Sequence, residues 1–120
     1  LAEDNELNME IAEFVLQNEG AEVTKAWNGQ EAVEIFEKSR PDEFDVILMD
    51  IMMPVMNGLT AAKTIRGMER KDAAEIPIIA MTANAFSDDI EQSREAGMNE
   101  HLSKPLDAQK LVEVIRKYIF

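Results

Sequence analysis

The feature that most constrains the fold is an alternation between short aliphatic runs and longer stretches with apolar residues at helical spacing. The aliphatic runs predict strands at Glu22–Trp27, Val46–Asp50, Ile78–Thr82 and Glu100–Ser103. Strands that alternate with helices form a parallel sheet whose two faces are covered by those helices. The run Val46–Met49 has no polar alternation, as expected of a strand buried on both faces. The sequence therefore predicts a single α/β domain over residues 1–120.

Five helices are predicted around these strands. Apolar spacing and capping residues place them at Glu6–Asn18, 30–38, 59–68, between Ser87 and Gly97, and after Asp107. The residues of the first helix that we expect to face the core are Leu7, Ile11, Phe14 and Val15. Asn5 is the expected N-cap of that helix. Only Leu1-Ala2 stand where a strand is expected before it, so we expect a truncated first strand and a protein that extends upstream.

Composition narrows the classes of function. The 120 residues include 24 Asp and Glu against 12 Lys and Arg, which gives a formal net charge of −12. A charge this negative disfavours a phosphate backbone, so we expect no direct binding to nucleic acid. The absence of cysteine excludes a disulfide scaffold, a thiolate zinc site and a cysteine nucleophile. No apolar run approaches the ~18 residues of a membrane span, so we expect no membrane association and a cytoplasmic location.

Polar residues collect where the predicted strands end. Glu3 and Asp4 follow the first strand, Asp50 ends the third, Thr82 ends the fourth and Lys104 follows the fifth. Open parallel sheets bind ligands outside the carboxyl ends of their strands. Clustered carboxylates repel one another unless a cation compensates, and ligation by oxygen alone suits Mg²⁺. A carboxylate beside such an ion can attack phosphorus, while a hydroxyl and an ammonium stabilise the phosphoryl charge.

The segment after Asp50 is predicted to turn tightly, because Pro54 and Asn57-Gly58 favour irregular backbone. Such a turn can aim the carbonyl of Met52 at the metal. Each candidate taken alone also fits an ordinary structural role, such as a turn cap for Asp50 or a solvated surface side chain for a lysine. It is the combination of residue types at one sheet edge that favours a functional site.

Four segments carry a family resemblance. They are L-A-E-D-N at the start, M-D-I-M-M-P-V-M-N-G around Asp50, A-M-T-A-N-A around Thr82, and L-S-K-P around Lys104. Together, and in this order, they resemble the receiver domain of two-component response regulators over essentially the whole chain. The resemblance implies a doubly wound, flavodoxin-like fold with five helices and five parallel strands in the order 2-1-3-4-5.

The resemblance also implies how a metal and a phosphoryl group would be held. Asp50 would accept the phosphoryl group from a phosphohistidine of a histidine kinase or of a histidine phosphotransfer protein. Asp4, Asp50 and the carbonyl of Met52 would ligate Mg²⁺, and Glu3 would contribute through water.

Further roles follow from the same resemblance. Thr82 would bind the phosphoryl group and switch rotamer, and Lys104 would pair with the aspartyl phosphate. The peptide bond before Pro105 would be cis, in line with the higher cis tendency of bonds that precede proline. Phosphorylation would change the surface formed by the predicted fourth helix, fifth strand and fifth helix, and so control a downstream output.

The chain departs from the common family pattern at three positions. His101 stands where a switching Tyr or Phe is frequent, so an imidazole takes that place in the expected switch. Met52 and Asn84 occupy the two variable positions thought to tune dephosphorylation. Because neither is a carboxylate or an amide placed to hold an attacking water, with Asn84 the more ambiguous, we hypothesise a relatively long-lived phosphorylated state.

Two other functions fit parts of the pattern. A Mg²⁺-dependent phosphohydrolase would also use Asp50 as a nucleophile, but enzymes of the haloacid dehalogenase type usually carry a second Asp where this chain has Met52. A flavodoxin-like FMN binder needs a phosphate loop after the first strand, where Glu3-Asp4 would repel phosphate. We therefore expect a phosphoacceptor signalling domain rather than an enzyme, a monomer or weak dimer, similar to receivers fused to hybrid histidine kinases.

Overall fold

The computed structural model describes residues 1–83, 87–104 and 106–119, without the side chains of residues 87–89 and 119. In chain order the elements are α1 (Glu6–Asn18), α2 (Gly29–Lys38), β1 (Ile47–Asp50), α3 (Gly58–Arg66), α4 (Lys71–Glu75), β2 (Ile78–Thr82), α5 (Ser87–Glu95), β3 (Glu100–Ser103) and α6 (Ala108–Ile119). The predictions that concern Asn84 and the peptide bond before Pro105 lie outside the described residues.

The three strands form one parallel sheet in the order β1-β2-β3. Asp50 is in register with Met81, and Thr82 is in register with Ser103, so the strands end at the same edge. Every residue of β1 and β2 is buried, which confirms the prediction of a strand covered on both faces. One core cluster lies on the side of α2 and α3, and the other packs against α1 and α6.

The segment before α1 joins the sheet at one residue. Ala2 makes parallel bridges to Ala26 and to Met49, and its N–H donates to the Leu48 carbonyl over 2.8 Å. The prediction of a strand over Glu22–Trp27 is wrong for the described residues, where only Ala26 of that segment forms a bridge. A strand needs a hydrogen-bonded neighbour along its length, and few residues of this sequence lie beside that segment.

The first helix has the predicted bounds but a different buried face. Asn5 caps it as predicted, since its side chain accepts from the Asn8 N–H over 3.0 Å. The buried residues are Met9, Ala12 and Leu16. Of the predicted core residues, Leu7, Ile11 and Phe14 are instead 64%, 44% and 66% exposed, whereas Val15 is partly buried against the core. Residues two apart lie on nearly opposite sides of a helix, so α1 has two apolar stripes and spacing alone does not identify the buried one.

The last helix follows the sequence more closely. Asp107 caps α6 as predicted, because its carboxylate accepts from the Gln109 N–H over 2.9 Å. Leu111 and Ile115 are each 1% exposed and pack in the core. Within the described parts of the chain, no helix is both long enough and apolar enough to cross a membrane.

The short helix α4 was not predicted, and it is anchored by a partly buried ion pair. Arg70 meets Asp72 in a two-pronged contact, with Nη2 to Oδ2 at 2.7 Å and Nε to Oδ1 at 3.0 Å. The same guanidinium donates to the Phe36 carbonyl over 2.6 Å and lies 4.6 Å from the centre of the Phe36 ring. The hydrogen bonds from Arg70 hold the pKa of Asp72 below its ordinary value. This pair ties the end of α2 to the start of α4.

Candidate metal centre

The carboxyl ends of the strands position the candidate side chains. Asp50 ends β1 and is 2% exposed, and Thr82 ends β2 and is 5% exposed. The Lys104 N–H donates to the Thr82 carbonyl over 2.8 Å, which holds the residue after β3 against the end of β2. The Asp50 N–H donates to the Ala2 carbonyl over 2.9 Å. This bond brings Glu3 and Asp4, which follow Ala2, beside the end of β1.

The three predicted acids converge at this edge. Glu3, Asp4 and Asp50 each offer a carboxylate oxygen, and these oxygens all lie within 4.8 Å of one another. Glu3 is 0% exposed, whereas Asp4 lies at the surface. The cluster therefore has a buried floor and one acid at its solvent side, so a small ion can enter from water.

Lys104 is the cation that the structure places in this cluster. Its Nζ lies 2.7 Å from Asp50 Oδ2 and 3.0 Å from Glu3 Oε2. The ammonium is aligned to donate to the other oxygen of Glu3, Oε1, over 3.3 Å. Glu3 Oε2 thus receives no hydrogen bond from the described residues, although it is fully buried. One ammonium facing three carboxylates leaves the centre with an excess of negative charge.

This excess affects the protonation of the buried acid. Burial raises the pKa of Asp50 to about 6; the hydrogen bond from Lys104 opposes the shift, and the charge of Glu3 adds to it. Burial alone would lower the pKa of Lys104, but the hydrogen bonds and charges of Asp50 and Glu3 outweigh it and raise that pKa. The raised pKa of Asp50 thus reflects mainly its burial, and the raised pKa of Lys104 reflects the two carboxylates that it contacts.

The donor set fits a magnesium ion. The cluster offers carboxylate oxygens only, which is the ligand type that Mg²⁺ prefers. Glu3 Oε2 is buried and has an ion-pair contact with Lys104 Nζ at 3.0 Å, but it receives no aligned hydrogen bond from the described residues, and such an oxygen favours a further positive partner. A divalent cation, or a water bound to one, supplies that partner.

The residue two positions after Asp50 also contacts it. The Met52 N–H donates to Asp50 Oδ1 over 3.3 Å, and the Met52 side chain is 73% exposed. Gly58 closes the same turn, because a Cβ at this position would lie 2.1 Å from the Asp50 carbonyl oxygen. The tight turn predicted from Pro54 and Asn57-Gly58 is confirmed, while the role of the Met52 carbonyl stays a prediction.

The structure places the remaining candidate elsewhere. His101 lies on β3 in register with Ala80, and it lines a surface groove with Ile90 and Tyr118. Its imidazole is therefore separate from the carboxylate cluster, and its part in a switch stays a prediction.

Gly29 lies against the loop that follows Asp50, and the sequence did not identify it as a residue of the site. Gly29, at the start of α2, donates its N–H to the Met56 carbonyl over 2.9 Å. The predicted helix began at residue 30, and nothing in the sequence indicated that its start touches the loop after Asp50.

Comparison with known proteins agrees with this geometry. The family model of the response regulator receiver domain matches residues 1–116. Hybrid signal transduction histidine kinase I from Dictyostelium discoideum is 37% identical over 121 residues, which cover 99% of this chain but 7% of the kinase. This chain therefore spans a small part of that relative's length.

Solved structures give the same likeness. The receiver domain of sensor histidine kinase PA1611 from Pseudomonas aeruginosa PAO1 is 38% identical, with a TM-score of 0.87 over 98% of this chain and 93% of that one. That structure has a magnesium ion coordinated in its active site cleft. A chain in the co-crystal of the Saccharomyces cerevisiae histidine phosphotransfer protein Ypd1 with the receiver domain of Ssk1 is 32% identical. Its TM-score is 0.86, and the match covers 98% of this chain and 84% of that one.

Proposed function

This chain belongs to the response regulator receiver domain family, and from that premise we propose that it is a phosphoacceptor signalling domain in which Asp50 takes a phosphoryl group from a phosphohistidine. One observation carries the proposal. Asp50 is a buried carboxylate at the end of a central strand, 2.7 Å from an ammonium and in a cluster with two further acids. An acid in such a position is poor at stabilising the fold and well placed to react.

The metal in this proposal is Mg²⁺. Asp4 and Asp50 would ligate it directly, the Met52 carbonyl would add a ligand, and Glu3 would act through a water. The unmatched Oε2 of Glu3 and the excess of carboxylates support this assignment. When bound, the ion offsets the carboxylate charge and polarises the phosphoryl oxygens.

The protein's own groups would perform the transfer. A carboxylate oxygen of Asp50 forms the new bond to phosphorus as the bond from phosphorus to the imidazole nitrogen breaks, and the donor keeps its electron pair. The Lys104 ammonium, already 2.7 Å from Asp50, offsets charge on the phosphoryl oxygens. The hydroxyl of Thr82, at the end of the neighbouring strand, would donate to one of those oxygens.

The output would follow from a local change. A phosphoryl group on Asp50 draws the Thr82 hydroxyl toward it, and a change in β2 passes to β3, with which Thr82 is paired in register. His101 lies on β3, in a groove bordered by α5 and α6. We propose that the surface of α5, β3 and α6 is the part that changes and that controls the output.

The partner would dock beside the site. α1 begins two residues after Asp4 and exposes Leu7, Ile11 and Phe14 on one side. An exposed apolar stripe next to a reactive carboxylate is suited to a helical partner. We propose that a histidine kinase or a histidine phosphotransfer protein binds there. The Ypd1 complex of a related receiver supports this kind of partner.

Several wider features belong to the same proposal. The complete sheet would have the order 2-1-3-4-5, and the bridges from Ala2 to Ala26 and Met49 support the first part of that order. The domain would be a receiver of a larger hybrid kinase, cytoplasmic, and a monomer or weak dimer. It would regulate rather than turn over a substrate, and Met52 beside Asp50 supports a long-lived phosphorylated state.

Transfer from a phosphohistidine tests the proposal. A radiolabelled histidine phosphotransfer protein is mixed with the wild type, with Asp50→Asn and with Asp45→Asn, which removes an exposed acid outside the cluster. We expect the wild type and Asp45→Asn to take the label when Mg²⁺ is present, and Asp50→Asn to take none. Labelling of all three chains would contradict the proposal, and repeated turnover of small phosphate esters would favour the phosphohydrolase instead.

A further inference from the structure

The loop that follows Asp50, residues 51–57, is held at two points by glycines. At its end, the Gly58 N–H donates to the Ile51 carbonyl over 2.9 Å, and Gly58 packs against the backbone of Asp50. The second point comes from a different helix. The Gly29 N–H donates to the Met56 carbonyl over 2.9 Å, so the start of α2 holds the loop from outside.

Space at the second contact admits glycine alone. A Cβ at position 29 would lie 2.3 Å from the Met56 carbonyl oxygen and 3.0 Å from the Asn57 carbonyl oxygen. Both atoms belong to the backbone, so neither can swing aside as a side chain would. Any larger residue at position 29 must therefore push the loop away from α2.

The N-terminus of α2 explains why the Met56 carbonyl lies beside Gly29. The first N–H groups of a helix have no partner within the helix, and they carry partial positive charge. The Asn28 side chain caps the Glu31 N–H over 2.9 Å, and the Gly29 N–H is left for the Met56 carbonyl. A glycine at the first position of α2 fits this close approach, because it places no side chain between the helix and the loop.

The loop also needs support from outside. Val55 has a φ of +68°, a left-handed conformation that a β-branched residue rarely adopts. The Met56 N–H donates to the Pro54 carbonyl over 2.7 Å, which closes a tight turn around Val55. Such strained backbone persists only when its surroundings hold it.

We propose that Gly29 is a positioning residue for the metal centre, acting through Met56 to fix the loop that carries Met52. The inference rests on the proposed function, since it concerns how that site is built. Met52 lies between the two held points, and its N–H already contacts Asp50. Asp50 itself is held by the sheet, so displacement of the loop moves Met52 relative to the carboxylates and leaves the carboxylates in place.

The test compares two substitutions of the same kind. Gly29→Ala introduces the clash. A Cβ at position 67 would lie 3.5 Å from the Lys63 carbonyl oxygen, which is an ordinary contact, so Gly67→Ala serves as the matched control. Mg²⁺ binding is measured by titration calorimetry at a temperature where circular dichroism shows each chain folded. We expect Gly29→Ala to raise the Mg²⁺ dissociation constant about tenfold and Gly67→Ala to leave it unchanged.

A metal-free measurement accompanies the titration. Hydrogen–deuterium exchange of the peptide that covers residues 51–57 should be faster in Gly29→Ala, with the peptide of β2 unchanged. In the phosphorylation assay the Mg²⁺ concentration for half-maximal rate should rise, while the rate at saturating Mg²⁺ recovers. A merely structural role would lower the folded fraction and alter both peptides together.

A second variant covers the case in which Gly29→Ala does not fold. Val55→Gly removes the strain at a φ of +68° and frees the same loop, so it should fold and still weaken Mg²⁺ binding. A Mg²⁺ dissociation constant within twofold of wild type in Gly29→Ala, or in Val55→Gly if Gly29→Ala does not fold, would overturn the inference. If the wild type itself binds no Mg²⁺ or is not labelled on Asp50, it is the proposed function that fails.

Discussion

Two clusters that contain buried carboxylates, one between α2 and α4 and one at the sheet edge, differ in their balance of charge. Between α2 and α4, one guanidinium meets one carboxylate, and the spare donors of Arg70 reach main-chain carbonyls such as that of Phe36. At the carboxyl edge of the sheet, the described residues cluster three carboxylates with one ammonium, and Glu3 Oε2 has only its ion-pair contact with that ammonium and no aligned hydrogen bond. The first cluster is complete within the described protein, whereas the second needs a cation.

The pKa shifts follow the same division. Hydrogen bonds from Arg70 lower the pKa of Asp72, as in a satisfied ion pair. Burial raises the pKa of Asp50 to about 6 even though an ammonium lies 2.7 Å away. The ion pair between Arg70 and Asp72 has equal positive and negative charge and holds two helices together. The cluster at the sheet edge has more carboxylates than cations and therefore favours the binding of a cation. This contrast separates a structural cluster from a functional one without reference to any relative.

Removal of the ammonium should have the largest effect. Lys104→Ala leaves Asp50 and Glu3 buried without their cation, and we expect a loss of about 2–4 kcal/mol in the free energy of unfolding without metal. Urea denaturation with and without Mg²⁺ checks this, since Mg²⁺ should restore part of the loss. An unchanged free energy of unfolding would show that the centre is not short of positive charge.

Removal of the guanidinium from the other cluster should affect the fold and spare the chemistry. Arg70→Ala breaks the link between α2 and α4, and we expect a fall of about 5 °C or more in the melting temperature. Labelling of Asp50, measured at a temperature where the variant is folded, should match that of the wild type. Equal loss of labelling and of stability would remove the distinction between the clusters.

The third and smallest expected effect is a gain in stability on replacement of Asp50 by Asn. The pKa of Asp50 is raised in the folded state to about 6, so the folded protein binds its proton more tightly than the unfolded chain does. This contribution to stability is therefore largest at low pH and falls as pH rises from about 4 to about 6. At neutral pH without metal, we expect Asp50→Asn to be about 1–2 kcal/mol more stable than the wild type.

Denaturation at several pH values checks the sign of this difference in the free energy of unfolding. The advantage of Asp50→Asn over the wild type should shrink as the pH is lowered toward 4, and an advantage that grows in acid would contradict the shift. Asp72→Asn should instead lower the free energy of unfolding at neutral pH, because it removes a carboxylate whose pKa is lowered by its hydrogen bonds with Arg70.

The sequence predicted the edge of the sheet better than the rest of the molecule. Asp50, Thr82 and Lys104 end or follow strands, and the carboxyl ends of parallel strands lie at one edge of the sheet, so their placement at that edge followed from the order of elements. The buried face of α1 could not be predicted, because Ile11 and Ala12 belong to two apolar stripes that differ only in what they pack against.

Contacts between distant segments were also beyond prediction. Arg70 reaches the Phe36 carbonyl across 34 positions of the chain, and no local pattern specifies such a contact. The hydrogen bond from Gly29 to Met56 was equally unpredictable, since it depends on how α2 packs against the loop after β1. Spacing identifies which residues share an edge or a face, and the packing of helices decides which of them meet.

The most direct test of the central claim locates the phosphoryl group. The chain is incubated with acetyl phosphate and Mg²⁺ and then reduced with borohydride, which converts an aspartyl phosphate to homoserine that peptide mass spectrometry can place. We expect homoserine in place of Asp50, at up to one per chain, only with Mg²⁺ and with no change at Asp72. Homoserine at another acid, or none at position 50 under conditions in which the chain is folded and binds Mg²⁺, would contradict it.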